Sequence, residues 1–330
     1  MNSIALQAST NEIEDRVAAA VLEGLKAQPK RLPPWLFYDE AGSRLFDRIT
    51  ELPEYYLTRT ERAIFEAHAP AMIQKAAGND RLRIVELGAG SAEKTRILLA
   101  AALAHQGTVV YEPVDVSASA LEEAQARLER ELEDVTVSPR VADYTHGLKL
   151  EPAANREHRL VLYIGSSIGN FDPWEAAELL EGVCAELQPG DGFLLGVDLA
   201  KCPETLLAAY DDPAGVTAAF NRNILARLNR ELGANFDLDM FAHRAVWNEA
   251  ESRIEMHLES RLPQTVGMES LDLEVDFSAG ERIHTENSYK YRPGQAEALL
   301  QASGFEPVES WTDELGWFAV CLGQKVSRSH

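Results

Sequence analysis

The apolar positions of this chain change their period several times, and each change marks a different element. Over residues 11–27, NEIEDRVAAAVLEGLKA, they recur about every 3.6 residues and predict an amphipathic helix. The next stretch, PKRLPPWLFYDEAGSRLFDRITELPEYYLTRTERAIF, is dense in prolines and aromatics, with a helix predicted from near Thr60. From 82 to 200 short apolar runs (RIVELG, TVVYEPVDV, VTVSPRVADY, RLVLYIGSS and GFLLGVDLA) alternate with helical patterns. Apolar strands separated by helices predict a buried parallel sheet. Two helical segments fill 203–232, and after 239 the period drops to two. In SRIEMHLESRL, Ile254, Met256 and Leu258 share one face, while Arg253, Glu255, His257 and Glu259 share the other. SLDLEVDF alternates the same way, and together these runs predict an inserted antiparallel meander. A helix at GQAEALLQASG and strands at FEPVESW and GWFAVCLG then return to the alternation of helices and apolar strands. The fold class is α/β: a Rossmann-like domain of residues 60–200 and 291–330, and a second α+β domain of 1–59 and 201–290.

Between the first strand of that sheet and its helix lies ELGAGSAEK. Glycines there let a ligand approach the backbone at a helix N-terminus, where partial positive charge collects. A dinucleotide-binding turn needs G-x-G-x-x-G. Here Gly88 and Gly90 are followed by Ser91, Ala92 and Glu93, so the third glycine is absent. Such a turn suits an uncharged nucleoside with an amino-acid tail better than a pyrophosphate. Glu86 and Asp115, at successive strand ends, are the acids expected to meet the tail's ammonium and the ribose hydroxyls. Asp143, in VADYT, closes the third strand where an adenine amino group is expected. That spacing of acids points to a class I S-adenosylmethionine methyltransferase. For Asp115 and Asp143 the competing role is a helix N-cap, a common use of Asp after a strand.

Charge narrows the partners. Against 31 basic residues stand 53 acidic ones, a net charge of −22, whereas nucleic acids and anionic membranes require a basic footprint. RNA methylation is therefore disfavoured, and a small-molecule enzyme is expected. Cys184, Cys202 and Cys321 form no CxxC pair and are odd in number, which predicts a reduced, cytoplasmic protein. Eight histidines without an HxH or HxxxH pair predict no metal site. The N-terminus lacks the pattern of a secretory signal, and no apolar run reaches the about 20 residues of a membrane span.

Several blocks, in order, carry a more specific likeness: YDEAGSRLFDRITELPEYYLTRTE (38–61), ELGAGSAEKTRILL (86–99), YEPVDVS (111–117), IGSSIGNF (164–171), AYDDPAGVTAAFNRNILARLNRELGANFD (209–237), RIEMHLES (253–260) and HTENSYKY (284–291). Over nearly its full length the chain resembles the histidine Nα-methyltransferases of ergothioneine biosynthesis. The resemblance implies a class I methyltransferase domain and a substrate domain built from the N-terminus and an insertion. It implies that Gly88, Lys94, Asp115, Asp143 and Tyr144 contact S-adenosylmethionine. It assigns Tyr55, Asn170, Tyr210, Glu286 and Ser288 to histidine, Met256 to the wall of the imidazole pocket, and Tyr38, Phe46 and Gly165 to the surroundings of the amine.

Each assignment has a plainer competitor. Asn170 is also a turn residue after Gly169, Tyr55 and Tyr210 are also packing aromatics, and Met256 is also core. An acid in a strand, such as Glu286, is ordinarily solvated, as is a helix lysine such as Lys94. The reaction implied is three methylations of L-histidine to its betaine, hercynine, by a monomer without metal, nucleic acid or membrane. Two alternatives stand beside it: N-methylation of another amino acid, such as a tryptophan derivative, and a non-catalytic nucleotide-binding regulator.

Overall fold

Strands apolar at nearly every position must be covered on both faces, and this requirement sets the architecture. The computed structural model describes residues 15–147, 149–150 and 155–327. Helix α1 covers 15–26, and positions 11–14 of the helix expected there lie outside the described residues. There follow β1 (Lys30–Arg31), α2 (Glu40–Thr50), α3 (Tyr56–Ala77), β2 (Arg81–Leu87), α4 (Thr95–Gln106), β3 (Val109–Asp115) and α5 (Ala118–Glu131). Next come β4 (Val135–Val137), β5 (Arg140–Val141), β6 (Glu157–Tyr163), α6 (Pro173–Glu186), β7 (Gly192–Asp198), α7 (Pro203–Tyr210) and α8 (Val216–Leu232). The chain continues with β8 (Phe241–Asn248), β9 (Arg253–Ser260), β10 (Gln264–Met268), β11 (Leu273–Phe277) and β12 (Arg282–Tyr289). It ends in α9 (Gln295–Ala302), β13 (Phe305–Thr312) and β14 (Phe318–Lys325). Two units are formed, dividing after Tyr56, Ala200 and Ser288.

The unit from Leu57 to Ala200 and from Tyr289 onward holds an eight-stranded sheet of order β13-β14-β7-β6-β2-β3-β4, with β5 also on β3. Strands β7, β6, β2, β3 and β4 run parallel, as the alternation with helices predicts. The last two are antiparallel, β14 to β7 and β13 to β14. A parallel partner would need a crossover, whereas β13 and β14 are joined by a short turn. Asp313 closes it, accepting from the amides of Leu315, Trp317 and Phe318 at 3.0, 2.7 and 2.8 Å. Alternation divides the core into two layers. Ile84, Leu160, Leu162 and Leu194 pack with α3, α4 and α5, while Val85, Val161, Phe193 and Leu195 pack with α6 and α9.

The other unit, of the described residues up to Tyr56 and those from Lys201 to Ser288, carries a four-stranded sheet of order β1-β12-β9-β8. Alternate positions of β9 are buried, including Ile254, Met256 and Leu258, as the period predicts. A continuous meander was the expectation here, but β10 and β11 pair with each other in a separate ribbon. The cause lies at Ser260, whose amide donates to the Glu281 carbonyl at 2.8 Å while its carbonyl accepts from Gly280 at 2.7 Å. The intervening residues are thereby excluded from the sheet, and β12 returns directly beside β9.

A buried amide pins α8 to this sheet. Asn221 donates to His243 Nδ1 at 2.9 Å and to the His257 carbonyl at 3.0 Å, and its oxygen accepts from Thr285 at 2.8 Å. His243 Nε2–H then donates to the Tyr210 carbonyl at 2.8 Å, and burial lowers the imidazole's pKa, favouring the neutral ring this network requires. Removing one partner strands the others, at about 1–3 kcal/mol per buried group. Asn221→Ala should therefore lose about 2–4 kcal/mol of stability in urea denaturation; an unchanged midpoint contradicts the pinning role.

Candidate active site

In the unit of the larger sheet, candidate residues collect at the carboxyl ends of the parallel strands, where open α/β sheets bind ligands. After β2 the backbone turns through Gly88 (φ +69°) and Gly90 (φ +49°), values that favour glycine. A Cβ at Gly88 would also stand 3.2 Å from Tyr144 Oη. The Gly88 amide donates to the Val114 carbonyl at 2.8 Å, and the Gly90 amide to Asp115 Oδ2 at 3.0 Å, so the turn is fastened to the tip of β3. Asp115 Oδ1 accepts from the Ser117 amide at 2.9 Å, while Ser117 itself caps α5; the capping role considered for Asp115 falls to its neighbour. Asp143 does cap, accepting from the Thr145 amide and hydroxyl at 3.0 and 2.6 Å. Tyr144 meets Tyr163 edge-on at 5.8 Å, and burial pushes its phenol up to about 12, keeping it a neutral donor.

Lys94 stands at the N-cap of α4 and ion-pairs with Glu61, so it is not the exposed helix lysine that its position suggests. The Gly165 amide donates to both Glu61 oxygens at 2.9 and 3.0 Å. Ser166 shares the left-handed backbone of Gly165, and its Oγ accepts from the Asp198 amide at 2.8 Å. The following turn presents Asn170 half-buried, its side-chain amide unbonded among the described residues. Glu86, the strand-end acid expected to meet a ligand's tail, has partners within the protein. It is buried beneath the turn, accepting from Thr95 Oγ1 at 2.7 Å and from the Tyr111 hydroxyl.

In the smaller-sheet unit the candidates form a continuous run. Tyr38 packs edge-on against Phe46 at 5.8 Å, Phe46 against Tyr55 at 6.2 Å, and Tyr55 against Tyr210 at 6.4 Å. The Tyr210 hydroxyl and Ser288 Oγ are 2.7 Å apart. Glu286 and Ser288 are buried on β12 and Met256 on β9, so Glu286 is no solvated strand acid. Phe220 joins Tyr38 and Phe46 at 5.7 and 5.9 Å and stacks on Phe37 at 4.5 Å. Asn221, one residue on, supplies the pin described above.

Phe220, Asn221 and Glu61 lie inside the blocks that carry the family likeness, but the sequence reading gives them no role. Glu61 had a signal: it lies on the apolar stripe of α3 with Leu57, Ile64 and Phe65, where a solvated acid does not belong. Phe220 and Asn221 sit side by side in a helix of mixed character, and no local pattern singles them out.

The parallel sheet, its glycine turn and the acid at the β3 tip define a class I methyltransferase fold. Residues 17–325 match the family of histidine-specific, S-adenosylmethionine-dependent methyltransferases. The chain is 47% identical over 320 residues to the histidine N-alpha-methyltransferase of Mycolicibacterium smegmatis, covering 97% of this chain and 98% of that one. Identity to the Mycobacterium tuberculosis protein of the same name is 47% over 306 residues, covering 92% and 94%. Ergothioneine biosynthesis protein 1 of Neurospora crassa is 32% identical over 329 residues, covering 94% of this chain and 36% of that one. The chain belongs to the histidine-specific, S-adenosylmethionine-dependent methyltransferase family. Among the described residues no cluster of His, Cys, Asp or Glu is placed to hold a metal, and no helix is long and apolar enough to cross a membrane.

Glu86 gives the turn a pH signature. Burial raises its carboxyl from 4.5 to about 7, against the hydrogen bonds from Tyr111 and Thr95. Between those values the folded state keeps a proton that the unfolded chain has released, so this group's contribution to stability falls as pH rises from about 4.5 to about 7 and is level outside that window. Glu86→Gln should remove about 3 kcal/mol of this decline. Unfolding free energies of the two proteins across pH 4 to 8 check it, and parallel curves refute it.

Proposed function

We propose that this chain transfers three methyl groups from S-adenosylmethionine to the α-amino group of L-histidine, giving hercynine in ergothioneine biosynthesis. What carries the reading is the assembly of Tyr38, Phe46, Tyr55, Tyr210 and Ser288 into one run of contacts within a single unit, in a chain of this family. Three free cysteines suit a cytoplasmic setting, and the net charge of −22 suits a monomer acting on a small molecule away from nucleic acid and membranes.

The turn fits the methyl donor: a glycine cradle that a Cβ would crowd and an acid at the β3 tip. Asp115 accepts from the ribose hydroxyls, Asp143 and Tyr144 border the adenine, and Gly88 and Lys94 adjoin the amino-acid tail. When bound, the donor supplies a methyl group on a sulfonium, already activated for displacement. The chain's own residues have to place a neutral amine and keep it in line. Tyr210 donates to the histidine carboxylate. Glu286 accepts from the imidazole N–H with Ser288 beside it, and Met256 limits ring size. An α-ammonium, with a pKa of roughly 8 in peptides, has no lone pair until its proton leaves, so the site binds the free base or relays the proton through water to a tyrosine such as the exposed Tyr38 or to bulk solvent. The rings of Tyr38 and Phe46 face the fixed cation of the product.

Asp115→Ala should weaken S-adenosylhomocysteine binding by about 1.5–3 kcal/mol in calorimetry. Unchanged affinity would remove Asp115 from the cofactor site. Glu286→Ala should lower kcat/KM for histidine by roughly 10–150-fold, mostly through KM because the ring is remote from the transferring methyl. Mono- and dimethylhistidine should both be consumed by the wild type. If dimethylhistidine binds without turnover, the third methylation is wrong.

A further inference from the structure

Glu61 has no role in the function above, yet it is fully buried and three elements meet at its carboxylate. Lys94, at the start of α4, ion-pairs with it, and the Gly165 amide donates to both oxygens. On β7, a Cβ at Gly196 would collide with Glu61 Oε1, so glycine leaves that space to the carboxylate. A Cβ at Gly165 would stand 3.3 Å from Lys94 Nζ, which holds the cation against the same backbone. A buried acid is tolerated when it is both paired and hydrogen-bonded, as this one is. Both charges of the pair also act on Glu86, Lys94 lowering its pKa and Glu61 raising it, and Lys94 stands at the N-cap of the helix that follows the glycine turn.

The methyl donor is a sulfonium cation before transfer, and its product is a neutral thioether. A lone Lys94 beside the turn would repel the first and leave the second unaffected. We infer that Glu61 is a positioning residue that cancels the charge of Lys94, so that the turn accepts the cationic donor without favouring the neutral product. This rests on the cofactor site proposed above.

Titration calorimetry on the full-length chain tests it, with S-adenosylmethionine and S-adenosylhomocysteine as ligands. Glu61→Gln should raise the ratio of their Kd values (donor over product) on the order of tenfold, the scale of one uncompensated unit charge acting through an effective dielectric constant near 20. Lys94→Met leaves the acid uncompensated and should lower the ratio. The double variant should return it to the wild-type value even if both ligands bind more weakly. A residue that only supports the fold weakens both ligands alike and leaves the ratio fixed, and that result overturns the inference. So does a raised ratio in Glu61→Gln that the double variant fails to restore. Should Glu61→Gln not fold, Lys94→Met decides, and a ratio that does not fall overturns the proposal. If the wild type binds neither ligand, the cofactor site falls and this inference with it; wild-type binding with unmoved ratios removes the inference alone.

Discussion

Parallel strands end together, and the polar groups gathered at their tips have to be satisfied where little water reaches. Most of the larger-sheet unit's local geometry answers that constraint. Asp115 takes the Gly90 amide, Glu61 takes the Gly165 amide and the Lys94 ammonium, and Ser166 takes the Asp198 amide. Asp198 in turn pairs with Lys290 at 2.8 Å, both fully buried. Because each acid has a fixed donor, the turns after β2 and β6 hold one shape, and left-handed residues at Gly88, Gly90, Gly165 and Ser166 become tolerable.

The smaller-sheet unit meets the same requirement differently. Its polar pin, Asn221 with His243 and Thr285, lies between a helix and a sheet and fixes where α7 ends and β12 runs. Tyr210 closes α7 and Ser288 lies near the end of β12, so the 2.7 Å contact between their hydroxyls follows from that pin. Aromatic rings from Tyr38 to Tyr210 then build one wall of edge-on contacts.

What was legible in the sequence follows from the range of the interactions involved. The strands and helices of the larger sheet show in local periodicity because Ile84 and Val85, or Leu194 and Leu195, each need an apolar layer on their own side. The departure of β10 and β11 from the neighbouring sheet did not show, since it depends on Ser260 bonding to Gly280 and Glu281 across a long excursion. Glu86 reads as a strand-tip acid, and only the fold reveals Thr95 and Tyr111 closing over it. Lys94 reads as a surface lysine until Glu61, from a different helix of the same unit, is placed beside it. Local pattern gives the elements; the partners of buried charges belong to the fold.

The central claim is that the amino group of histidine is the methyl acceptor. The most direct measurement incubates the full-length chain with S-adenosylmethionine and an equimolar mixture of the twenty amino acids, then reads masses over time. Histidine alone should gain one, then two, then three methyl groups, the last species accumulating. Methylation of tryptophan or another amino acid in preference to histidine, or of none, would contradict the account.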